Sequence, residues 1–461
     1  MDSAAETSGT GHSISFGGCV SGRAILFVMT RRNYMLLWLL GILVITGCAT
    51  FKPRPIEEIP YLDRSQVQER DGVRVSVSVL TREEARQAFG VDLEKNQIQP
   101  VWIDIESEAD RPYWFMMHGL DPNYYSAGEA AYISHFRFGG SANKEMDQYF
   151  SELAIDPLVL PGGGTEGFAF SNLKLGTKEV RVRLFGAGEV KDFEFYVTVP
   201  GLQADWQRVD FESLFSEGEI VDYDNAEQLR EALVQLPITT SRKDGTGRGD
   251  PLNLIMIGEL KKPFFKAGWD ETEVLTGSSV WRTVKAFFGG EYKHAPMSAL
   301  YVFGRAQDVG LQKARDTIHE RNHLRLWVTP IRFQGKHVWV GTITRDIGVY
   351  FTTKAWNLMT HAIDPDVDEA RTYLIEDLAT AQSIERFGHL EGVGPATPDD
   401  PHRNLMNAPY WTAGGRTVIL LSNEPVPLEE IRFFDWAWGR VRWVPENERR
   451  EQEKQQSGHS E

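Results

Sequence analysis

The stretch Val73–Val79 reads VRVSVSV, with four valines on one side of an extended chain and polar residues on the other. Strict alternation predicts a β-strand with one buried face, because successive side chains of a strand point to opposite sides. The same period recurs at residues 101–105, 180–184 and 193–199. Several short alternating runs with turn residues between them predict an all-β sandwich over residues 71–205.

The second half of the chain has a different character, in which strand and helix patterns are mixed. A helical pattern within 206–250 is followed by small polar residues that predict a linker. The apolar run Leu252–Ile257 then predicts a buried strand, and Val367–Phe387 is the longest helical pattern, with Asp364 as its expected N-terminal cap. The predicted fold is therefore an all-β sandwich followed by an α/β (α+β) domain at 251–440, with a disordered charged tail at 441–461.

Composition narrows the functional classes. The chain has 461 residues, of which 41% are hydrophobic, so it is long enough for two or three domains with real cores. A formal net charge of −16 argues against nucleic-acid binding, which needs a basic surface to displace counterions from phosphate. Two cysteines exclude a disulfide-rich scaffold and a four-cysteine zinc site.

The N-terminal region carries a targeting pattern. Arg31 and Arg32 precede the apolar run Met35–Ile45, and Cys48 follows a threonine and a glycine. A basic segment, a short apolar run and small residues are typical of a secretory signal. The cysteine resembles the lipobox of bacterial lipoproteins, in which this residue is lipidated. The run is short for a bilayer core of about 30 Å, so an uncleaved anchor helix, giving a single-pass membrane protein, is the alternative.

These features predict how the protein is attached to the membrane. Residues 29–47 are expected to be a signal peptide or anchor, 48–70 a tether, and 1–28 an over-extended start of the chain. We expect a lipid-anchored protein of the cell envelope, whose partners are the membrane and a candidate envelope protein. Ala49 stands where the resemblance to lipoproteins would place an aspartate for inner-membrane retention, which favours the outer membrane facing the periplasm.

Ordered blocks between residues 252 and 371 carry a family resemblance. They include LNLIMIG at 252–258, APMSALYVFGR at 295–305 and RNHLRLW at 321–327. These blocks resemble the LssY C-terminal domain family, whose members are bacterial envelope proteins. The resemblance implies an envelope location and no established reaction, so it leaves open whether the protein is an enzyme. Because the sequence carries no strong catalytic motif, we favour a non-enzymatic accessory or ligand-binding lipoprotein linked to envelope or secretion processes.

One motif supports an enzymatic alternative. His319-Glu320-Arg321-Asn322-His323 matches H-E-x-x-H, which in zinc peptidases places two imidazoles one helical turn apart with the glutamate as general base. The residues that follow alternate with strand period, and no third ligand stands at the metzincin spacing. A zinc-dependent hydrolase using His319, His323 and His361 is the alternative function; otherwise no cofactor is expected.

The same segment has a second interpretation as a strand. His319, Arg321, His323 and Arg325 then share one face, and a row of imidazole and guanidinium groups suits a phosphate or carboxylate. The competing hypothesis is that these bases pair with Asp346, Asp364 or Asp366 and only hold strands to a helix. We predict a polar cluster that faces the loop at His361–Asp368. The remaining candidate ligand-binding residues are Arg305, His361 and Asp364.

Overall fold

The computed structural model describes residues 50–186, 188–274, 297–314, 321–351, 359–434 and 436, without the side chains of 349–351 and 359–361. Its architecture confirms the mixed fold class, with an N-terminal β region followed by an α/β domain. The predicted signal segment, Cys48 and the predicted disordered tail at 441–461 lie outside the described residues. In the part of the chain that is described, no helix has the length and apolar character needed to cross a membrane.

Two four-stranded sheets form the N-terminal region. The strands are β1 (Gln66–Arg70), β2 (Val73–Val79), β3 (Ile98–Ser107), β4 (Tyr113–Phe115), β5 (Leu158–Val159), β6 (Gly164–Asn172), β7 (Thr177–Gly186) and β8 (Glu189–Thr198). One sheet has the order β1-β2-β3-β6 and the other β5-β4-β7-β8, and all pairs are antiparallel. The four valines of β2 are buried against Val180 and Phe195 of the facing sheet, which is the face that the alternation predicted.

Short helices cover one end of this sandwich. They are α1 (Arg82–Phe89), α2 (Met117–Leu120), α3 (Ala127–Ile133) and α4 (Ser141–Leu153). Phe89 and Phe150 from these helices pack with Phe170 in a separate aromatic core. The structure differs from the predicted tether at 48–70, because Ile59 and Tyr61 are buried in this core and residues 66–70 form β1.

A ten-stranded mixed sheet organises the second half. Its strands are β9 (Val221–Tyr223), β10 (Leu254–Ile257), β11 (Asp270–Glu271), β14 (Val309–Ala314), β15 (Arg321–Phe333), β16 (Lys336–Phe351), β17 (Met359–Ile363), β18 (Ile384–Glu391), β21 (Gly415–Leu421) and β22 (Arg432–Phe433). Two small hairpins complete the strands: β12 (Tyr301–Val302) with β13 (Arg305–Ala306), and β19 (His402–Arg403) with β20 (Pro409–Tyr410). The main order is β11-β14-β15-β16-β10-β21-β18-β22, and β9 and β17 pair with β15 and β16.

Helices lie on both faces of this sheet. The helices α6 (Lys261–Lys266) and α7 (Val367–Thr380) share a core with Leu324 and Leu326 of β15. On the opposite face, α5 (Ala226–Val234) packs through its leucines against β10 and β21. The segment 206–250, predicted as a helix followed by a linker, contains the helix α5 and also the sheet strand β9.

The ends of α7 differ from the sequence prediction. Asp366, not Asp364, is the N-terminal cap, and its carboxylate accepts a hydrogen bond of 3.2 Å from the backbone N–H of Asp368. The helix ends at Thr380, whereas the pattern predicted Phe387. Gln382 has a φ of 55°, in the left-handed region, and this turn leads the chain directly into β18.

Candidate functional site

Strand β15 carries the predicted basic row. It begins at Arg321, so the last three residues of the H-E-x-x-H pattern are extended and not helical. His319 and Glu320 lie outside the described residues. Leu324 and Leu326 face the core with α7, which leaves Arg321, His323 and Arg325 on the other side of the strand. All three basic residues are buried.

Asp346 on β16 is the acid that faces this row. Its Oδ2 lies 3.7 Å from Arg321 Nε and 3.3 Å from His323 Nε2. Arg321 also donates a hydrogen bond to the side-chain oxygen of Gln312. Burial raises the pKa of Asp346 to about 7, against the lowering effect of Arg321 and Arg325, and burial lowers the pKa of Arg321 to about 10. Asp346 is therefore paired with basic residues of the same domain, as the competing hypothesis of internal pairing expected.

Arg325 is held differently. Its guanidinium donates a hydrogen bond of 3.2 Å to the carbonyl of Ser298, and within the described residues no carboxylate reaches it at salt-bridge distance. Gly310 and Thr342 are its cross-strand neighbours. Burial lowers the pKa of Arg325, while Asp250, Asp346 and Asp205 raise it through longer-range attraction.

The other predicted residues are only partly brought together. Arg305 makes two hydrogen bonds of 2.9 Å to Asp308 and one of 2.6 Å to the carbonyl of Val328. His361 lies on β17, where it pairs with Val349 of β16 while Ile363 is the residue opposite Asp346; the side chain of His361 is not described. The Asp364 carboxylate accepts from the backbone N–H of Asp366, so it helps to form the turn before α7.

A basic pocket of about 440 Å³ opens where β14, β15 and β16 approach α7. Its charged and polar lining comprises Lys313, Arg321, Asn322, Arg345, Asp346 and Tyr373. Asn322 pairs with Lys313 on one side and with Arg345 on the other, so three strands contribute one row of side chains. Of this lining, the sequence identified Arg321 and its acid partner Asp346. The row Lys313, Asn322 and Arg345 is visible only once the strand register is known.

Arg345 is the lining cation that makes no ion pair with a carboxylate of the described residues. Its Nε donates a hydrogen bond of 3.1 Å to Asn322 Oδ1, and its guanidinium carbon lies 5.3 Å from the ring centre of Tyr373. In the part of the chain that the structure describes, no carboxylate forms an ion pair with Arg345. Lys313, in contrast, pairs with Asp377 at 2.7 Å and donates to the carbonyl of Ala267 at 2.7 Å.

The structure describes only some of the residues predicted to bind zinc. Among the described residues, no three His, Cys, Asp or Glu side chains lie close enough to hold a metal ion. His319 and the side chain of His361 fall outside that set. The zinc site therefore stays a prediction, although the extended backbone at Arg321–His323 is not the helical arrangement that H-E-x-x-H zinc enzymes use.

Comparison with known proteins identifies one part of the chain. No curated protein matches the chain. A family model described as LssY C-terminus matches residues 233–415, a range that contains β14, β15, β16 and α7 and therefore every residue of the basic pocket. The second half of the chain carries a domain of the LssY C-terminal family.

Proposed function

We propose that the LssY C-terminal domain binds an anionic small molecule in the basic pocket, within an accessory protein that Cys48 anchors in the cell envelope. The observation that carries the binding proposal is Arg345, a pocket cation with no carboxylate partner among the described residues. Arginine binds phosphate or carboxylate through two parallel N–H groups, which makes these the favoured ligand chemistries.

The charge balance of the basic pocket supports an anion. Lys313, Arg321 and Arg345 contribute three cations. Asp346 is the single acid among the described lining residues, and Asp377, which pairs with Lys313, is a second acid beside it, so one positive charge is in excess. This local excess of positive charge occurs in a chain with a net charge of −16. The volume of about 440 Å³ suits a small organic phosphate or carboxylate.

Binding is favoured over catalysis. The polar groups of the pocket are cations oriented by amide and carboxylate partners, namely Gln312, Asn322 and Asp346. The described lining includes no serine, cysteine or histidine, and its one acid, Asp346, is engaged by Arg321 and His323. A preformed set of cations without such groups supports a ligand-binding role for an envelope accessory protein.

Calorimetric titration of the full chain with inorganic phosphate tests the proposed site. Arg345→Gln is expected to weaken binding by about tenfold or more, because a hydrogen bond to a charged group contributes roughly 1.5–3 kcal/mol. Arg432→Gln is the matched control, since Arg432 lies on the same sheet, is 64% exposed and pairs only loosely with Glu385. No phosphate binding to the unaltered chain, or equal losses in both variants, contradicts the proposal.

Metabolic labelling with palmitate tests the anchor. Cys48→Ser is expected to abolish labelling, because Cys48 is the residue at the lipobox-like position, whereas Cys19→Ser leaves it intact. If the unaltered protein never labels yet sediments with membranes, the anchor-helix alternative replaces the lipoprotein proposal.

A further inference from the structure

A second cavity, of about 340 Å³, lies on the same sheet face as α6. We call it the aromatic cavity. Its apolar walls are Trp206, Phe211, Phe264, Val309, Leu311 and Trp339. It shares no lining residue with the basic pocket, although Leu311 and Lys313 are neighbours on one face of β14. The two sites therefore have separate linings and opposite chemistry.

The polar atoms around the aromatic cavity are already engaged by the protein. Trp206 donates its indole N–H to Glu271 Oε1 at 2.6 Å, and Trp339 donates to the carbonyl of Gly258 at 3.2 Å. Glu271 also accepts from the backbone N–H of Thr177 at 2.7 Å. The walls consequently present ring faces and C–H groups, with no indole donor left for a guest.

Charges of both signs surround the opening. Glu259 and Lys261 belong to the lining, and Lys261 Nζ lies 4.1 Å from the ring centre of Trp206. Burial lowers the pKa of His337, another lining residue, which favours the neutral imidazole. A charged guest would lose its hydration and meet one repelling group at the rim, whichever its sign.

We propose that the aromatic cavity binds a small uncharged apolar molecule, independently of the anion proposed for the basic pocket. Apolar walls favour apolar guests, and at about 30 Å³ per water-sized group the space holds a guest of roughly ten heavy atoms. The lining holds five tryptophan and phenylalanine side chains, and contact with their rings favours a planar aromatic body.

Calorimetric titration with toluene, benzoate and benzylammonium tests this assignment, because the three probes share a ring and differ in charge. Toluene is expected to bind the full chain with 1:1 stoichiometry, and each charged analogue about tenfold more weakly. Absence of toluene binding up to its solubility limit, or equal affinity for benzoate, overturns the proposal.

Variants localise the binding. Val309→Phe extends a ring into the cavity and is expected to weaken toluene binding by about tenfold, with the thermal unfolding transition retained. If that variant does not fold, Phe211→Ala, which removes a half-buried wall facing Trp339 at 5.7 Å, serves instead. Phe433→Ala, at a phenylalanine 53% exposed outside the cavity, is the matched control and should bind normally. Unchanged affinity in the wall variant overturns the assignment of the site.

Discussion

Arg416 is a buried cation whose removal should destabilise the second half of the chain measurably. The residue lies on β21 and is completely buried. It donates to three backbone carbonyls: Glu391 at 3.1 Å, Pro237 at 3.3 Å and Leu236 at 3.2 Å. Two of these carbonyls follow the end of α5, where a positive charge is also favourable to the helix dipole. Arg416 thus links the C-terminal end of α5 to strands β18 and β21 through hydrogen bonds.

We expect Arg416→Met to lower the free energy of unfolding by about 2–4 kcal/mol. Methionine retains most of the packing, but it leaves three buried carbonyls without a donor, at roughly 1–3 kcal/mol each when removed singly. Two effects reduce the sum: the losses are not additive, and the desolvation of a buried guanidinium disappears. Burial lowers the pKa of Arg416 to about 10, which reflects that desolvation.

Urea denaturation of the full chain, followed by tryptophan fluorescence, measures this change. Arg432→Met is the control, because its exposed side chain is expected to contribute less than about 1 kcal/mol. A loss below about 1 kcal/mol in Arg416→Met, equal to that of the control, would refute the reasoning that these carbonyls depend on Arg416.

Two further outcomes follow from the acid and histidine residues. Folding raises the pKa of Asp346 from 3.8 to about 7, so the folded chain binds this proton more tightly than the unfolded chain. The stability contributed by this group therefore falls as the pH rises from about 3.8 to about 7. Thermal melting temperatures of Asp346→Asn, measured across that pH range, should lack this part of the decline. Metal analysis of protein purified without chelators is expected to find substoichiometric zinc, whereas one zinc per chain that is lost in both His319→Ala and His361→Ala would support the hydrolase alternative.

Local periodicity was sufficient to predict much of the fold. The alternating valines of β2 face the sandwich core, and the alternation after His323 correctly indicated a strand, because both patterns depend only on which side chains avoid water. The predicted end of α7 was wrong, because the chain turns at Gln382 in the left-handed region and no glycine marks this turn in the sequence. Capping by Asp366 instead of Asp364 shows the same difficulty, since both aspartates are suitable caps in the sequence.

The candidate site was predictable only in part. Arg321, His323 and Arg325 could be assigned to one face, and Asp346 was named as a partner, because strand period and opposite charge are visible in the sequence. Arg345 and the row through Asn322 were missed, because they depend on the register between three strands. The aromatic cavity brings together residues as far apart in the sequence as Trp206 and Trp339, which no local pattern reveals.

The position of β21 has a practical consequence for dissecting this protein. Residue 415, where the family match ends, is the first residue of a strand that lies between β10 and β18 in the middle of the sheet. A fragment limited to residues 233–415 would lack β21, so β10 and β18 would lose their shared hydrogen-bonding partner. Each would then have an unpaired strand edge, which favours aggregation. Such a fragment would also sever Glu271 from Thr177 of the sandwich. Recombinant work on the family domain therefore needs boundaries that extend past β22 and retain the preceding sandwich.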